Sequence, residues 1–240
     1  IMSIPQMATP LFHLTLPSTG KEVTYRPFLV KEEKLLLIAK EANDEESVMT
    51  SVMQILESCT NSELDVNALA SFDIEYLFLN IRAKSIGEEI ELRYKHSGGM
   101  NKQSQECTAV TPVQIKIDEI QVKKNDKHQT KIMITDTVGV QMRYPRLQTL
   151  SKLMEGTIES TVESIADCVE FLFDEEQIYD ETTTTRQELI EFIEGLSQEQ
   201  LMKINEFFET MPRLEHEVEY ECTGCGQKDT VTLRGLSDFF

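Results

Sequence analysis

The sequence predicts an α+β fold, in which two helical blocks alternate with antiparallel β-hairpins. Hydrophobic residues make up 40% of the 240 residues, enough to bury a sizeable core. Apolar residues recur at helical spacing in some segments and alternate with polar residues in others. Runs of strands beside runs of helices are typical of α+β proteins. We expect residues 1–240 to form a single α+β domain, with the blocks 1–30 β, 31–86 α, 88–145 β, 146–212 α and a 213–240 β-hairpin.

The first block is predicted to be a short β-hairpin, because Pro17 and Gly20 mark a turn in PSTGKEV. From Lys31 the segment KEEKLLLIAKEA is rich in helix-forming residues. Asp44 can cap a second helix, and a third is predicted to begin near Asp73 and to stop at Gly87. The second and third helices are predicted from apolar stripes at Val48, Val52, Ile55, Leu56 and Cys59, and at Ile74, Leu77, Phe78 and Ile81.

The middle block is predicted to consist of half-buried strands in an antiparallel sheet or meander. Its apolar residues alternate with polar ones at Ile90, Leu92 and Tyr94, at Val113, Ile115 and Ile117, at Ile132 and Ile134, and at Val138, Val140 and Met142. The link KKNDKHQTK, residues 123–131, holds most of the local positive charge. We interpret this link as a solvated hairpin turn and not as a binding patch.

The last two blocks are predicted to be helices followed by a β-hairpin. Thr185 with Glu188 and Ser197 with Gln200 form capping boxes, and Pro212 ends the last helix. An earlier helix is predicted from the apolar stripe Ile158, Val162, Ile165, Val169, Leu172 and Phe173. The C-terminal hairpin is predicted from the alternating residues Val218 and Tyr220, the turn CTGCG, and Val231 and Leu233.

The charge and the cysteine usage exclude several classes of protein. There are 42 acidic and 23 basic residues, giving a net charge of −19, whereas nucleic-acid binding needs a basic face. No apolar stretch reaches the roughly 18–20 residues of a membrane span. The start, IMSIPQMATP, lacks the basic and apolar regions of a secretory signal. Five cysteines, an odd number, argue against a disulfide framework and indicate a reducing compartment.

No pattern in the sequence indicates catalysis. The phosphate-binding loop, the nucleophile elbow and the zinc-protease helix motif are all missing, and the four histidines are scattered. Acidic clusters lie at predicted helix starts and in linkers, where acidic side chains interact favourably with the helix dipole or with solvent. The prediction is a non-enzymatic protein with no catalytic or cofactor-binding residues.

The turn CTGCG is the sharpest local signal, because a C-x-x-C-G turn can direct two thiolates towards one zinc ion. A tetrahedral site needs four ligands, and His96 and Cys107 flank the loop between two predicted strands. The hypothesis is a degenerate zinc-ribbon-like hairpin pair with the ligands His96, Cys107, Cys222 and Cys225. The spacing from His96 to Cys107 is longer than in a normal knuckle. The alternative is a metal-free pair of cysteines in a turn.

Several stretches together resemble a known family. They are PSTGKEVTYRPFLVKEEKLLLIAKEA, FDIEYLFLNIRAKSIGE, MRYP and the terminal LRGLSDFF, spread over most of residues 10–240. In order and spacing they resemble the baseplate hub proteins of T-even-like contractile-tailed phages. Such proteins characteristically carry a cysteine knuckle after the LNIRAKS-type helix, and this chain departs from that pattern by its long insert between His96 and Cys107.

The resemblance implies a late phage structural or assembly protein of the baseplate central hub. It would lie in the virion tail baseplate, in the host cytoplasm during assembly, or in both. Its partners would be other hub, tail-tube or tape-measure proteins, not nucleic acid and not a membrane. Two alternatives remain: a transient chaperone of tape-measure or hub proteins that is absent from the virion, and a zinc-ribbon adaptor.

The terminal aromatic residues Phe239 and Phe240 are predicted to dock into a partner, because aromatics are enriched at interface hot spots. Leu236, in the same LSDFF segment, is assigned to the core. The alternative for the aromatics is ordinary core or chain-end packing.

Overall fold

A computed structural model of the chain describes residues 8–42, 45–61, 64–95, 107–154, 156–235 and 238. Its helices and small antiparallel sheets confirm the predicted α+β class. By their internal contacts the residues group into two compact units. The first comprises Ile1–Val66, Phe72–Lys123 and Arg213–Phe240, and the second Asn67–Ser71 and Lys124–Pro212. Whether the chain unfolds as a single domain stays a prediction.

The bounds of the elements follow in chain order. The helices are α1 (Val30–Ala42), α2 (Glu45–Cys59), α3 (Ser71–Ile86), α4 (Leu147–Met154), α5 (Ile158–Cys168), α6 (Arg186–Glu194) and α7 (Gln198–Thr210), with short 3-10 helices at Val66–Ala68 and Ile117–Glu119. The strands are β1 (Phe12–Thr15), β2 (Glu22–Tyr25), β3 (Glu89–Tyr94), β4 (Thr111–Lys116), β5 (Val122–Lys123), β6 (Lys131–Met133), β7 (Gly139–Met142), β8 (Val169–Phe173), β9 (Ile178–Tyr179), β10 (Arg213–Glu221) and β11 (Lys228–Arg234). No helix in the described ranges has the length and apolar character needed to cross a membrane.

The N-terminal hairpin and the three helices of the first unit confirm the predicted elements. Strands β1 and β2 pair antiparallel, with Phe12 opposite Tyr25. Helix α3 starts two residues before the predicted Asp73 and ends directly before Gly87, whose φ of 139° favours glycine. Both apolar stripes are buried apart from Val48, which is half-buried. The predicted cap Asp44 lies outside the described residues.

Two further hairpins complete the first unit and carry the candidate site. Strand β3 pairs antiparallel with β4, from Glu89 opposite Lys116 to Tyr94 opposite Thr111. Strand β10 pairs with β11 as predicted and also with β5, so that the sheet order is β11–β10–β5. Strands β4 and β10 lie close together. The predicted strand residue Ile117 begins a 3-10 helix instead, and its side chain is buried.

The second unit corrects the prediction that residues 146–212 are entirely helical. Helix α5 ends at Cys168, and Val169–Phe173 forms strand β8 in a four-stranded sheet of order β6–β7–β8–β9. The pairing with β7 shifts register, with Met142 opposite Val169 but Gln141 opposite Phe171. This irregularity offsets the alternation by one residue, so Val169 and Leu172 are both buried. Their spacing of three residues therefore imitated a helical stripe.

The link 123–131 is not the predicted hairpin turn. Lys123 belongs to β5, which pairs with β10, whereas Lys131 belongs to β6, which pairs with β7. Most of the link is exposed, as predicted. His128 and Thr130 are half-buried, and the His128 ring stacks on Tyr144 with 5.6 Å between the ring centroids.

Both predicted capping boxes are present. The Thr185 side chain accepts from the backbone of Glu188, and the Ser197 side chain accepts from the backbone of Gln200. In each box the side chain of the later residue accepts from the backbone N–H of the cap in return. These contacts fix the starts of α6 and α7.

Candidate metal centre and exposed apolar surface

The turn between β10 and β11 holds two of the predicted metal ligands. Cys222 directly follows β10, and Cys225 lies in the turn before β11. The N–H of Cys222 donates to the carbonyl of Gln227 at 2.8 Å, and the N–H of Gly226 donates to the carbonyl of Cys222 at 2.8 Å. Gly226 has a φ of 73°, a left-handed conformation that glycine adopts without strain. The sequence CTGCG therefore forms the tight turn that was predicted for it.

The third ligand, Cys107, comes from the segment that leads into β4. This segment approaches the turn closely at Gly224, where an added Cβ would lie 2.5 Å from the Cβ of Ala109. The same Cβ would lie 3.1 Å from the Sγ of Cys107. Only glycine fits here without displacing a neighbour, and this close contact brings Cys107 to the turn.

A threonine pair fixes the turn to the start of β4. The backbone N–H of Thr223 donates to the Oγ1 of Thr111 at 3.1 Å, and the two hydroxyl oxygens are 3.4 Å apart. Thr111 is buried. This contact spans 112 residues of sequence, and it sets the distance between the two hairpins next to the cysteines.

The three cysteines form one compact group. All three Sγ atoms lie within 4.8 Å of one another, and those of Cys107 and Cys222 are 3.7 Å apart. Cys107 and Cys222 are each 2% exposed, and Cys225 is half-buried. Zn–S bonds of about 2.3 Å in a tetrahedral site separate two sulfur atoms by about 3.8 Å. The spacing of Cys107 and Cys222 fits that value.

The surroundings favour the thiolate form of Cys222, which is the form that binds metals. The backbone N–H groups of Cys225 and Gly224 outweigh burial and lower the pKa of Cys222 to about 6. The backbone N–H of Gln227 acts to lower the pKa of Cys225. Burial and the neighbouring thiols of Cys222 and Cys107 outweigh that effect, so the pKa of Cys225 is raised.

The structure thus brings together three of the four predicted ligands. The fourth, His96, lies outside the described residues, and its assignment stays a prediction. Sequence reasoning missed the contributions of Gly224 and Thr111. Gly224, which lies between Cys222 and Cys225, was the one signal in the sequence that could have indicated the close approach of the Cys107 segment to the turn.

The apolar α1 surface is a second feature that the sequence analysis missed. It consists of Val30, Leu35, Leu37 and Ile38, whose exposed fractions are 80%, 42%, 55% and 55%. The side chains of Glu32, Leu36 and Ala39 on the same helix are buried. The helix was predicted from its residue propensities, which do not indicate the face that stays uncovered.

The predicted interface residues Phe239 and Phe240 lie outside the described residues, as does Leu236. In the described part of this terminus, the backbone N–H of Arg234 donates to the carboxylate of Asp238 at 2.7 Å. Docking of the terminal aromatics therefore stays a prediction.

Comparison with known proteins gave one family. The model of the family described as T4 bacteriophage base plate protein matches residues 8–240. No curated protein matches the chain, and no solved structure matches it. The family match confirms the resemblance that the sequence motifs indicated. The chain belongs to the T4 bacteriophage base plate protein family.

Proposed function

We propose that this chain is a non-enzymatic component or assembly factor of the central hub of the phage tail baseplate. The observation that carries the proposal is the family match over residues 8–240, which spans almost the whole chain. The narrower assignment to the hub is supported by the resemblance of FDIEYLFLNIRAKSIGE and LRGLSDFF to hub proteins. Its partners are other hub, tail-tube or tape-measure proteins.

An assembly protein needs a surface for its neighbour, and we assign this role to the apolar α1 surface. Large apolar side chains that stay exposed on one helix are candidates for contact with another protein. The net charge of −19 disfavours pairing of two copies, because both carry the same excess of negative charge. We therefore assign the partner as a different baseplate protein, with an apolar groove for these side chains.

The double variant Leu37→Gln/Ile38→Gln tests this surface without changing charge or helix propensity greatly. The matched control is Ile158→Gln/Met202→Gln, since these side chains are also exposed, at 81% and 69%. Each variant is supplied in trans to a phage that lacks the gene, and the yield of complete baseplates is counted by electron microscopy. Loss of interface hot-spot contacts of about 2 kcal/mol weakens binding about 30-fold.

We expect the α1 variant to lower baseplate yield at least about tenfold, with its circular dichroism unchanged and the control near wild type. Wild-type yield with the α1 variant would contradict the role of this surface. Normal yield from the phage without any copy of the gene would contradict the hub function itself.

The terminal segment LSDFF is the second proposed contact, through Phe239 and Phe240. Deletion of Phe239 and Phe240, which keeps Leu236, is expected to stop hub assembly while the isolated chain stays folded. Unfolding of the truncated chain would assign these residues to the core instead.

Mass spectrometry of purified virions separates a hub component from an assembly factor. A component is recovered in the virion together with the other hub proteins. A protein that is required for assembly but absent from the virion fits the alternative of a transient chaperone. The absence of catalytic activity is tested by hydrolase and transferase screens, where turnover abolished by a point substitution would refute it.

A further inference from the structure

We propose that Cys107, Cys222 and Cys225 bind one Zn²⁺ ion, which ties the segment leading into β4 to the turn between β10 and β11. This inference does not depend on the hub function. It rests on three side chains that meet at one point, although Cys107 precedes Cys222 by 115 residues.

The geometry suits a tetrahedral ion. The Cys107 and Cys222 sulfur atoms are 3.7 Å apart, close to the value of about 3.8 Å set by two Zn–S bonds. All pairs in the group are within 4.8 Å, so small side-chain rotations bring the third sulfur into range. Three thiolates supply three of the four ligands of a zinc site. The fourth ligand is not assigned by the described residues.

The ligand chemistry selects zinc over the hard cations. The group contains sulfur ligands alone among the described residues, with no carboxylate. Soft thiolates favour zinc, whereas Ca²⁺ and Mg²⁺ require oxygen ligands. Two of the sulfur atoms are buried, so an ion held there is shielded from water.

A disulfide explains the cluster less well than a metal does. A disulfide would join two of the three sulfur atoms at about 2.05 Å and leave the third without a role. The Cys107 and Cys222 sulfur atoms, at 3.7 Å, are not bonded. A reducing cytoplasm, where phage proteins are made, keeps thiols reduced and available to a metal.

Ordinary core packing also explains the cluster less well. Buried cysteines often act as small hydrophobic residues, as Cys59 and Cys168 do at the ends of α2 and α5. Burial raises the pKa of those two thiols to about 11 and about 12, which keeps them protonated. The three clustered cysteines instead lie in connecting segments next to strand ends, and their sulfur atoms converge within 4.8 Å of one another.

The test uses the full chain, purified under reducing conditions without chelator, and measures metal by elemental analysis. We expect about one Zn²⁺ per chain. Replacement by Co²⁺ is expected to give the sulfur-to-cobalt charge-transfer absorption that marks thiolate ligation. The variants Cys107→Ala, Cys222→Ala and Cys225→Ala should each weaken zinc binding at least about tenfold.

The matched control is Cys168→Ala, which removes a buried thiol from the second unit and is expected to keep the full zinc content. Circular dichroism of every variant excludes loss of metal through unfolding. If one single variant does not fold, Co²⁺ titration of the reduced wild-type chain still tests the site.

The proposal is wrong if the reduced wild-type chain takes up neither Zn²⁺ nor Co²⁺ at equimolar metal. It is equally wrong if the Cys107→Ala/Cys222→Ala/Cys225→Ala triple variant retains the metal. Recovery of a Cys107–Cys222 disulfide, with no metal, from protein kept under reducing conditions would also overturn it.

Discussion

The substitution Gly224→Ala tests the close approach that forms the cysteine cluster. The new Cβ would lie 2.5 Å from the Cβ of Ala109, whereas contacting carbon atoms are about 3.5–4.0 Å apart. The turn and the segment 107–109 must therefore separate by about 1 Å. Such overpacking costs about 1–3 kcal/mol in the free energy of unfolding. Zinc–ligand distances vary by only about 0.2 Å, so Cys107 is expected to be lost as a ligand of the proposed zinc site.

The assay has two readouts, taken on the reduced chain. Chemical denaturation in the presence of chelator gives the free energy of unfolding without metal. Competition with a zinc indicator gives the affinity of the metal centre. The double variant Ala109→Gly/Gly224→Ala removes the closest atom that the new Cβ meets and should recover part of the stability, while the Cys107 Sγ at 3.1 Å remains. Gly195→Ala is the comparison with a milder contact, because its Cβ would lie 3.3 Å from the backbone oxygen of Glu191, which a shift of a few tenths of an ångström relieves.

One result refutes this reasoning directly. If Gly224→Ala changes stability by less than about 0.5 kcal/mol and leaves zinc affinity unchanged, the turn does not approach segment 107–109 as described. If the double variant is no more stable than Gly224→Ala, the contact with the Ala109 Cβ is not the source of the cost.

Three further predictions concern the Arg26–Glu32 ion pair, the unfolding of the whole chain and the fourth metal ligand. Glu32→Gln should cost about 3 kcal/mol, because it removes the buried carboxylate charge that faces the half-buried Arg26 guanidinium at 3.0 Å. Lys31→Gln, at a 71% exposed side chain, is the control. Burial raises the pKa of the Glu32 carboxyl, but the hydrogen bonds from Arg26 and Leu29 outweigh burial, so the pKa in the folded chain is lowered. The stabilisation by the Glu32 carboxylate should therefore be fully present above pH 4.5, the ordinary pKa, and should disappear as the pH falls through the pKa of the folded chain. Calorimetry should give one unfolding transition, and two transitions or a stable fragment cut within 180–185 would indicate two domains. His96→Ala should weaken zinc binding at least about tenfold, and unchanged affinity would remove His96 from the ligand set.

The elements that the sequence predicted well are those whose signals lie within a few residues. The capping box at Thr185 and Glu188 is complete within one helical turn, and the structure has it as predicted. The turn CTGCG and its flanking alternation predicted the C-terminal hairpin for the same reason. Strand β8 was missed because its register depends on the irregular pairing with β7, which no local pattern reveals.

The sequence by itself determined the α+β class, most of the elements, the resemblance to baseplate hub proteins and the Cys222–Cys225 half of the candidate metal centre. Tertiary structure alone decided that Cys107 joins that pair, because its approach depends on the absence of a side chain at Gly224 and on the hydrogen bond from Thr223 to Thr111. It also decided which face of α1 stays uncovered. Local patterns fix backbone conformation, whereas contacts between distant segments depend on how whole elements pack against each other.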